Sequence, residues 1–158
     1  MKKNVSKKSR IKFPAYEPWI SNEDKKIVYE TLKQNMLTLG PKLEKFESDF
    51  CKYSKAKYAV AVTNCTAALH LSLMALGIGK GDEVIIPDLT FVADANAVLA
   101  CNAKPVIADI NKENFFLSIS NIKKNITKKT KAIIPVHIYG QVCNIEEILD
   151  VAKDNNLK

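Results

Sequence analysis

Three short stretches of this chain combine residue types that can do chemistry. Thr63-Asn64-Cys65-Thr66 follows an apolar run and opens a helical pattern. A helix start offers free backbone N–H groups and the positive end of the helix dipole. Together with a threonine hydroxyl these make a ready phosphate site. The plainer alternative is a capped helix start with no ligand. Asp88-Leu89-Thr90-Phe91 brings an aromatic ring and a hydroxyl together. Phe91 can stack on a planar cofactor or join a core. His137-Ile138-Tyr139-Gly140-Gln141 offers an imidazole for general acid/base work or for a substrate contact. A hydrogen-bonded structural histidine is the competing reading there.

Each stretch follows a candidate strand. Tyr58–Val62 (YAVAV), Glu83–Pro87 (EVIIP), Pro105–Asp109 (PVIAD) and Ala132–Val136 (AIIPV) are short, continuously apolar runs suited to buried parallel strands. Helical patterns alternate with them over Thr66–Leu76, Thr90–Asn102, roughly Ser118–Ile126, and from Asn144 onward. Glu147 is placed to complete a capping box with Asn144. Upstream, Ser21-Asn22-Glu23-Asp24 reads as a helix start, and Pro41 as the first residue of a second helix. Ile27, Val28, Leu32 and Met36 form one apolar stripe, and Leu43, Phe46 and Phe50 another. Alternating strands and helices predict an α/β fold in three layers, α/β/α, around a mostly parallel sheet. In such sheets ligands bind beyond the carboxyl ends of the strands, where all three stretches fall.

Composition narrows the function classes. The 158 residues are 47% hydrophobic and 26% charged, an ordinary globular balance. The net charge of +7 is concentrated in Lys2, Lys3, Lys7, Lys8, Arg10 and Lys12, which leaves 18 basic against 17 acidic residues elsewhere. The expected division is a basic flexible tail (1–12), an N-terminal helical segment (13–57), and the first part of an α/β domain (58–158). Such a tail argues against a nucleic-acid-binding body. No apolar run is long enough to cross a bilayer, and no signal-peptide core is evident, so the expectation is a cytoplasmic protein. Cys51, Cys65, Cys101 and Cys143 lack metal-site spacing and predict free thiols, with Cys51 and Cys101 buried or half-buried. Gly77-Ile78-Gly79-Lys80-Gly81 follows a helix and precedes a strand, the reverse of a phosphate loop, and predicts a helix stop. His70 lies in an apolar helix and predicts a packed residue.

The order and spacing of these pieces resemble the DegT/DnrJ/EryC1/StrS sugar aminotransferase family of fold-type-I pyridoxal-phosphate enzymes. The matching stretches are Leu39-Gly40-Pro41 with Phe46-Glu47, VTNCTAALHLSLMALGIGKGDEVIIPDLTFVADANAVL over Val62–Leu99, KPVIADI over Lys104–Ile110, and KTKAIIPVHIYGQVCNIEEI over Lys129–Ile148. Within the family the chain is most similar to the branch that makes 4-amino sugars on nucleotides, such as perosamine synthases. The resemblance implies pyridoxal 5'-phosphate as cofactor, transfer of an amino group from glutamate to a keto group of a nucleotide-linked sugar, and a homodimer. It implies that Cys65 and Thr66 hold the cofactor phosphate and that Phe91 stacks on the pyridine ring; His137 stays a candidate substrate contact on the reading of its own loop. The 58–158 segment then corresponds to the first part of the family's large domain.

Two departures bear on chemistry. Family members commonly carry glycine where this chain has Cys65; the backbone N–H survives, but a Cβ opposes a left-handed conformation. The family's Schiff-base lysine and the acid that pairs with the pyridinium nitrogen match no residue here and are expected after Lys158. The 158 residues are therefore expected to be inactive alone. The competing expectations are a phosphate-ligand binding module without catalysis and an interaction domain acting through its basic tail.

Overall fold

The computed structural model of the protein describes residues 17–158. The expected basic tail (1–12) lies outside the described residues. The described residues form two compact units, one ending at Ala61 and the other running over Val62–Lys158.

The first unit holds two helices. Helix α1 (Asn22–Leu32) starts at Ser21, whose hydroxyl accepts the Asp24 N–H while the Asp24 carboxylate accepts the Ser21 N–H. That reciprocal pair is a capping box. Helix α2 (Pro41–Ser54) opens on Pro41, whose missing N–H costs nothing in the first turn. The Glu47 carboxylate on α2 accepts the Ala61 N–H at 2.8 Å, tying the end of this unit back to its helix.

The second unit carries the sheet. Strands β1 (Glu83–Pro87), β2 (Lys104–Ala108) and β3 (Thr130–Ile133) are all parallel, in the order β2-β1-β3. Every residue of the central strand β1 is buried. The outer strand β2 begins with Lys104 and Pro105, residues that suit a sheet edge. Helices α3 (Cys65–Ala75) and α4 (Ala93–Ala100) pack on one face, where Leu73, Val84, Ile86, Ala97 and Val98 form a core. Helices α5 (Ile119–Asn125) and α6 (Ile145–Asp154) cover the other face over Ile85, Ile122, Ile133, Ile148 and Val151. Successive β1 side chains thus feed opposite cores, as a pleated strand requires.

Three helices stop in the same way. After α3, Gly77 takes φ +75°, its N–H bonds to the Met74 carbonyl, and the Ile78 N–H bonds to that of Leu73. Asn102 after α4 and Asn156 after α6 repeat the pattern, at φ +57° and +53°. These are Schellman caps, and the expected helix stop at Gly77–Gly81 is the first of them. The last delivers the chain to the sheet: the Lys158 N–H donates to the Lys131 carbonyl, and the Lys158 carbonyl accepts from Ile133 N–H, along the outer side of β3.

Some expectations are corrected. The run Tyr58–Val62 is not a strand, and Tyr58 and Val60 are 75% and 81% exposed. A buried parallel strand needs a ladder of backbone partners, and this run has none among the described residues. The helix expected from Thr90 begins instead at Ala93, because the Thr90 hydroxyl is bonded to Asp94 and keeps the first residues in a turn. The Asn144–Glu147 capping box does not form: the Asn144 amide donates to the Glu147 carboxylate and neither side chain caps a backbone N–H. The two apolar stripes of the first unit are present on their helices, but Val28, Leu32 and Phe46 are all exposed.

Candidate functional site at the carboxyl edge of the sheet

Helix α3 leads through a tight turn into β1, and α4 leads from β1 back to β2, so both run opposite to the strands. Their first residues therefore lie at the carboxyl edge of the sheet. The two helices pack side by side on one face. This arrangement puts the phosphate-type loop and the Phe91 loop at neighbouring helix starts. The loop that follows β3 leaves the same edge.

At the start of α3, Asn64 is the N-cap, in extended backbone at φ −166°, ψ 171°. Its carboxamide oxygen accepts the Ala67 N–H at 2.9 Å, and its carbonyl accepts the Ala68 N–H at 3.1 Å. That leaves the N–H groups of Cys65 and Thr66 without an acceptor among the described residues. Both residues are exposed, so two donors and the Thr66 hydroxyl face solvent at the positive end of the helix. Cys65 sits inside the helix and has no positive φ. The strain that a Cβ was expected to bring at this position does not arise.

Phe91 is 76% exposed, which excludes a core role within the described structure. Its loop is pinned from below. The Thr90 hydroxyl donates to the Asp94 carboxylate at 2.6 Å, and the Asp94 N–H donates to the Phe91 carbonyl. Asp94 is itself buried, at 6% exposure. Asp94 was not singled out from the sequence; the Thr–x–x–x–Asp spacing at a helix start was its available signal. Asp88 N–H, bonded to the Ala108 carbonyl, holds the exit of β1 against the end of β2.

His137 is exposed, and its Nδ1 accepts the Cys143 N–H at 3.2 Å. The ring thus has one nitrogen engaged by its own loop and the other free of partners among the described residues. The thiols fall where the sequence placed them, with Cys51 half-buried and Cys101 buried. Cys143 is buried as well, and burial pushes both the Cys101 and Cys143 thiols up from their ordinary value. Cys65 alone of the four is exposed. His70 is half-buried on α3, and its carbonyl faces the Cys101 Sγ. No group of acidic, histidine or cysteine side chains suited to a metal ion occurs among the described residues.

Comparison with known proteins adds a family. The DegT/DnrJ/EryC1/StrS aminotransferase family matches residues 18–158. GDP-perosamine synthase of Escherichia coli O157:H7 is 43% identical over 145 residues, covering 91% of this chain and 40% of that protein. The crystal structure of DesV from S. venezuelae in complex with a ketimine intermediate superposes with a TM-score of 0.82 at 36% identity, covering 85% of this chain and 36% of that one. NtdA from Bacillus subtilis with bound cofactor PMP gives a TM-score of 0.82 at 37% identity, over 88% of this chain and 33% of that one. The chain thus spans about 40% of the length of the curated relatives it matches.

Proposed function

This chain belongs to the DegT/DnrJ/EryC1/StrS aminotransferase family, and from that premise we propose that it serves pyridoxal-phosphate-dependent transfer of an amino group from glutamate to a keto group of a nucleotide-linked sugar. A homodimer and a cytoplasmic location belong to the same reading. The observation that carries it is the start of α3, where two adjacent N–H groups and the Thr66 hydroxyl stand exposed without partners among the described residues. These donors suit a phosphate monoester. The NtdA structure with PMP shows a pyridoxal-type cofactor bound in a neighbour of the same fold.

Pyridoxal phosphate, when bound, supplies the electron sink that makes amino-group transfer possible. The residues of this chain bind and orient it. Cys65 and Thr66 donate backbone N–H groups to the phosphate, the Thr66 hydroxyl adds a third donor, and the α3 dipole favours the negative charge. Phe91 stacks on the pyridine ring and fixes its plane. Thr90 and Asp94 hold that ring's loop in place, so the stacking surface is set before the cofactor arrives. No lysine here matches the family's Schiff-base position, and no acid matches the partner of the pyridinium nitrogen. These 158 residues by themselves are therefore expected to bind without turnover.

Titration with pyridoxal phosphate, followed by absorbance and fluorescence, tests the reading. Saturable binding is expected. Thr66→Val removes a hydrogen bond to a charged group, worth about 1.5–3 kcal/mol, and weakens binding roughly 10- to 100-fold. Phe91→Ala weakens it independently of the phosphate. Binding insensitive to both substitutions would count against this assignment of the site. Amine transfer by the isolated 158 residues would refute the inactivity.

A further inference from the structure

The loop after β3 is more constrained than a strand-to-helix connection needs. Gln141 N–H donates to the Ile138 carbonyl at 3.0 Å, and both residues between them have positive φ, Tyr139 at +53° and Gly140 at +77°. That pair of angles marks a type I′ turn, in which glycine or asparagine is at home and tyrosine is not. Phe115, in the loop after β2, is also left-handed, at φ +63°. The two rings meet edge to face, with centroids 6.3 Å apart and planes at 89°. Strands β2 and β3 are not neighbours, since β1 lies between them. The contact therefore spans two strand spacings, about 10 Å, across the carboxyl end of β1. Such conformations cost bulky residues free energy, and with Phe115 43% and Tyr139 72% exposed, their mutual contact is a restraint that the structure shows on both.

The same turn fixes the chemistry of His137. Its Nδ1 accepts the Cys143 N–H, and an amide N–H can only donate. The single proton of the neutral ring therefore sits on Nε2. Cys143 is buried, and its carbonyl accepts the Ile145 N–H at the head of α6, so the donor that sets the tautomer is itself fixed. Nε2 has no partner among the described residues, and the side chain is exposed at the ligand-binding edge of the sheet.

We infer that His137 acts as a hydrogen-bond donor through Nε2, toward an oxygen of the sugar substrate, and that the Phe115–Tyr139 contact is the positioning element that holds it in that tautomer. The inference rests on the aminotransferase reading for the identity of the acceptor only. A proton-accepting role through Nε2 is ruled out while Cys143 engages Nδ1, because Nε2 then carries the hydrogen.

Imidazole nitrogen-15 spectroscopy of this 158-residue chain tests this, with its two histidines to resolve. With the ring neutral, His137 is expected to show a pyrrole-type Nε2 and a pyridine-type Nδ1. Phe115→Leu keeps an apolar side chain but loses the edge-to-face contact, so the two nitrogen shifts should move toward each other and the Cys143 amide should shift. Phe115→Tyr should restore both. An Nδ1-protonated or averaged ring in the parent protein overturns the tautomer, and a spectrum unchanged in Phe115→Leu overturns the positioning role. Saturation of the pyridoxal-phosphate-loaded protein with a nucleotide-linked keto sugar, with no amino donor present, should shift the Nε2 signal, and no shift overturns the donor role. Failure of pyridoxal phosphate itself to bind overturns the aminotransferase reading, and leaves the ligand-free tautomer result standing.

Discussion

Cys65→Pro separates the proposed phosphate donor from the helix that presents it. Cys65 is the first residue of α3, where proline is well tolerated, and Asn64 before it is already in the extended conformation that a following proline demands. The substitution deletes one N–H from the proposed phosphate site and leaves the Asn64 cap on Ala67 in place. Pyridoxal phosphate affinity is expected to fall by about 1.5–3 kcal/mol, the worth of a hydrogen bond to a charged group, with urea midpoints unchanged. A titration paired with unfolding curves checks both halves. Residue types and their order made the exposed donors at the start of α3 legible from the sequence, because a helix start has unpaired N–H groups whatever precedes it. The supporting contacts were less legible. Asp94 reads as an ordinary first-turn acid until its burial and its bond to Thr90 are seen. The His137–Cys143 bond depends on turn angles that Tyr-Gly does not announce.

At the scale of elements, the Schellman caps set where three helices of the second unit, α3, α4 and α6, end. Gly77 occupies the left-handed position after α3, and a Cβ built there meets nothing within 4 Å. Gly77→Ala is therefore a purely backbone perturbation, expected to cost about 1–2 kcal/mol in urea unfolding. Gly77→Asn should recover most of the loss, since Asn102 and Asn156 hold the same position after α4 and α6. Equal losses for alanine and asparagine would contradict the cap as the cause. Helix existence was legible throughout from apolar spacing and from Ser21 and Pro41. The misread Tyr58–Val62 run shows the limit: an apolar pentapeptide states a wish to be buried, but strand identity belongs to the partner that supplies its hydrogen bonds.

At the scale of the whole molecule, the amino ends of all three strands meet in one polar cluster, opposite the candidate site. The Glu83 carboxylate accepts the Thr127 hydroxyl at 2.6 Å and the Lys104 ammonium at 3.1 Å. The Thr127 bond first, and the Lys104 bond after it, hold the Glu83 carboxyl below its ordinary value of 4.5. A carboxyl lowered in the folded state stabilises the fold above its unfolded pKa, and that contribution is lost as pH falls through the lower folded value. Stability is thus expected to drop with acidification below the ordinary glutamate range. Asp24 and Asp49 are shifted in the same direction and contribute to the same limb. The difference between the parent and Glu83→Gln isolates one group: urea midpoints should diverge at neutral pH and converge in acid. Parallel curves at all pH values would remove Glu83 from the account.

The strand order has a consequence in time. β1 is the centre of the sheet and the first of its strands to be synthesised, and its partners begin at Lys104 and Thr130. From Glu83, the growing chain must add roughly 20 residues before one neighbour exists and nearly 50 before the other does, which at about 5–20 residues per second is a wait of seconds. Throughout that wait Val84, Ile85 and Ile86, among the most deeply buried side chains of the finished fold, have no sheet to enter. The nascent chain therefore presents its stickiest segment earliest, and a ribosome-bound chaperone that shields EVIIP until Ile133 has emerged would protect this sheet better than one acting after release.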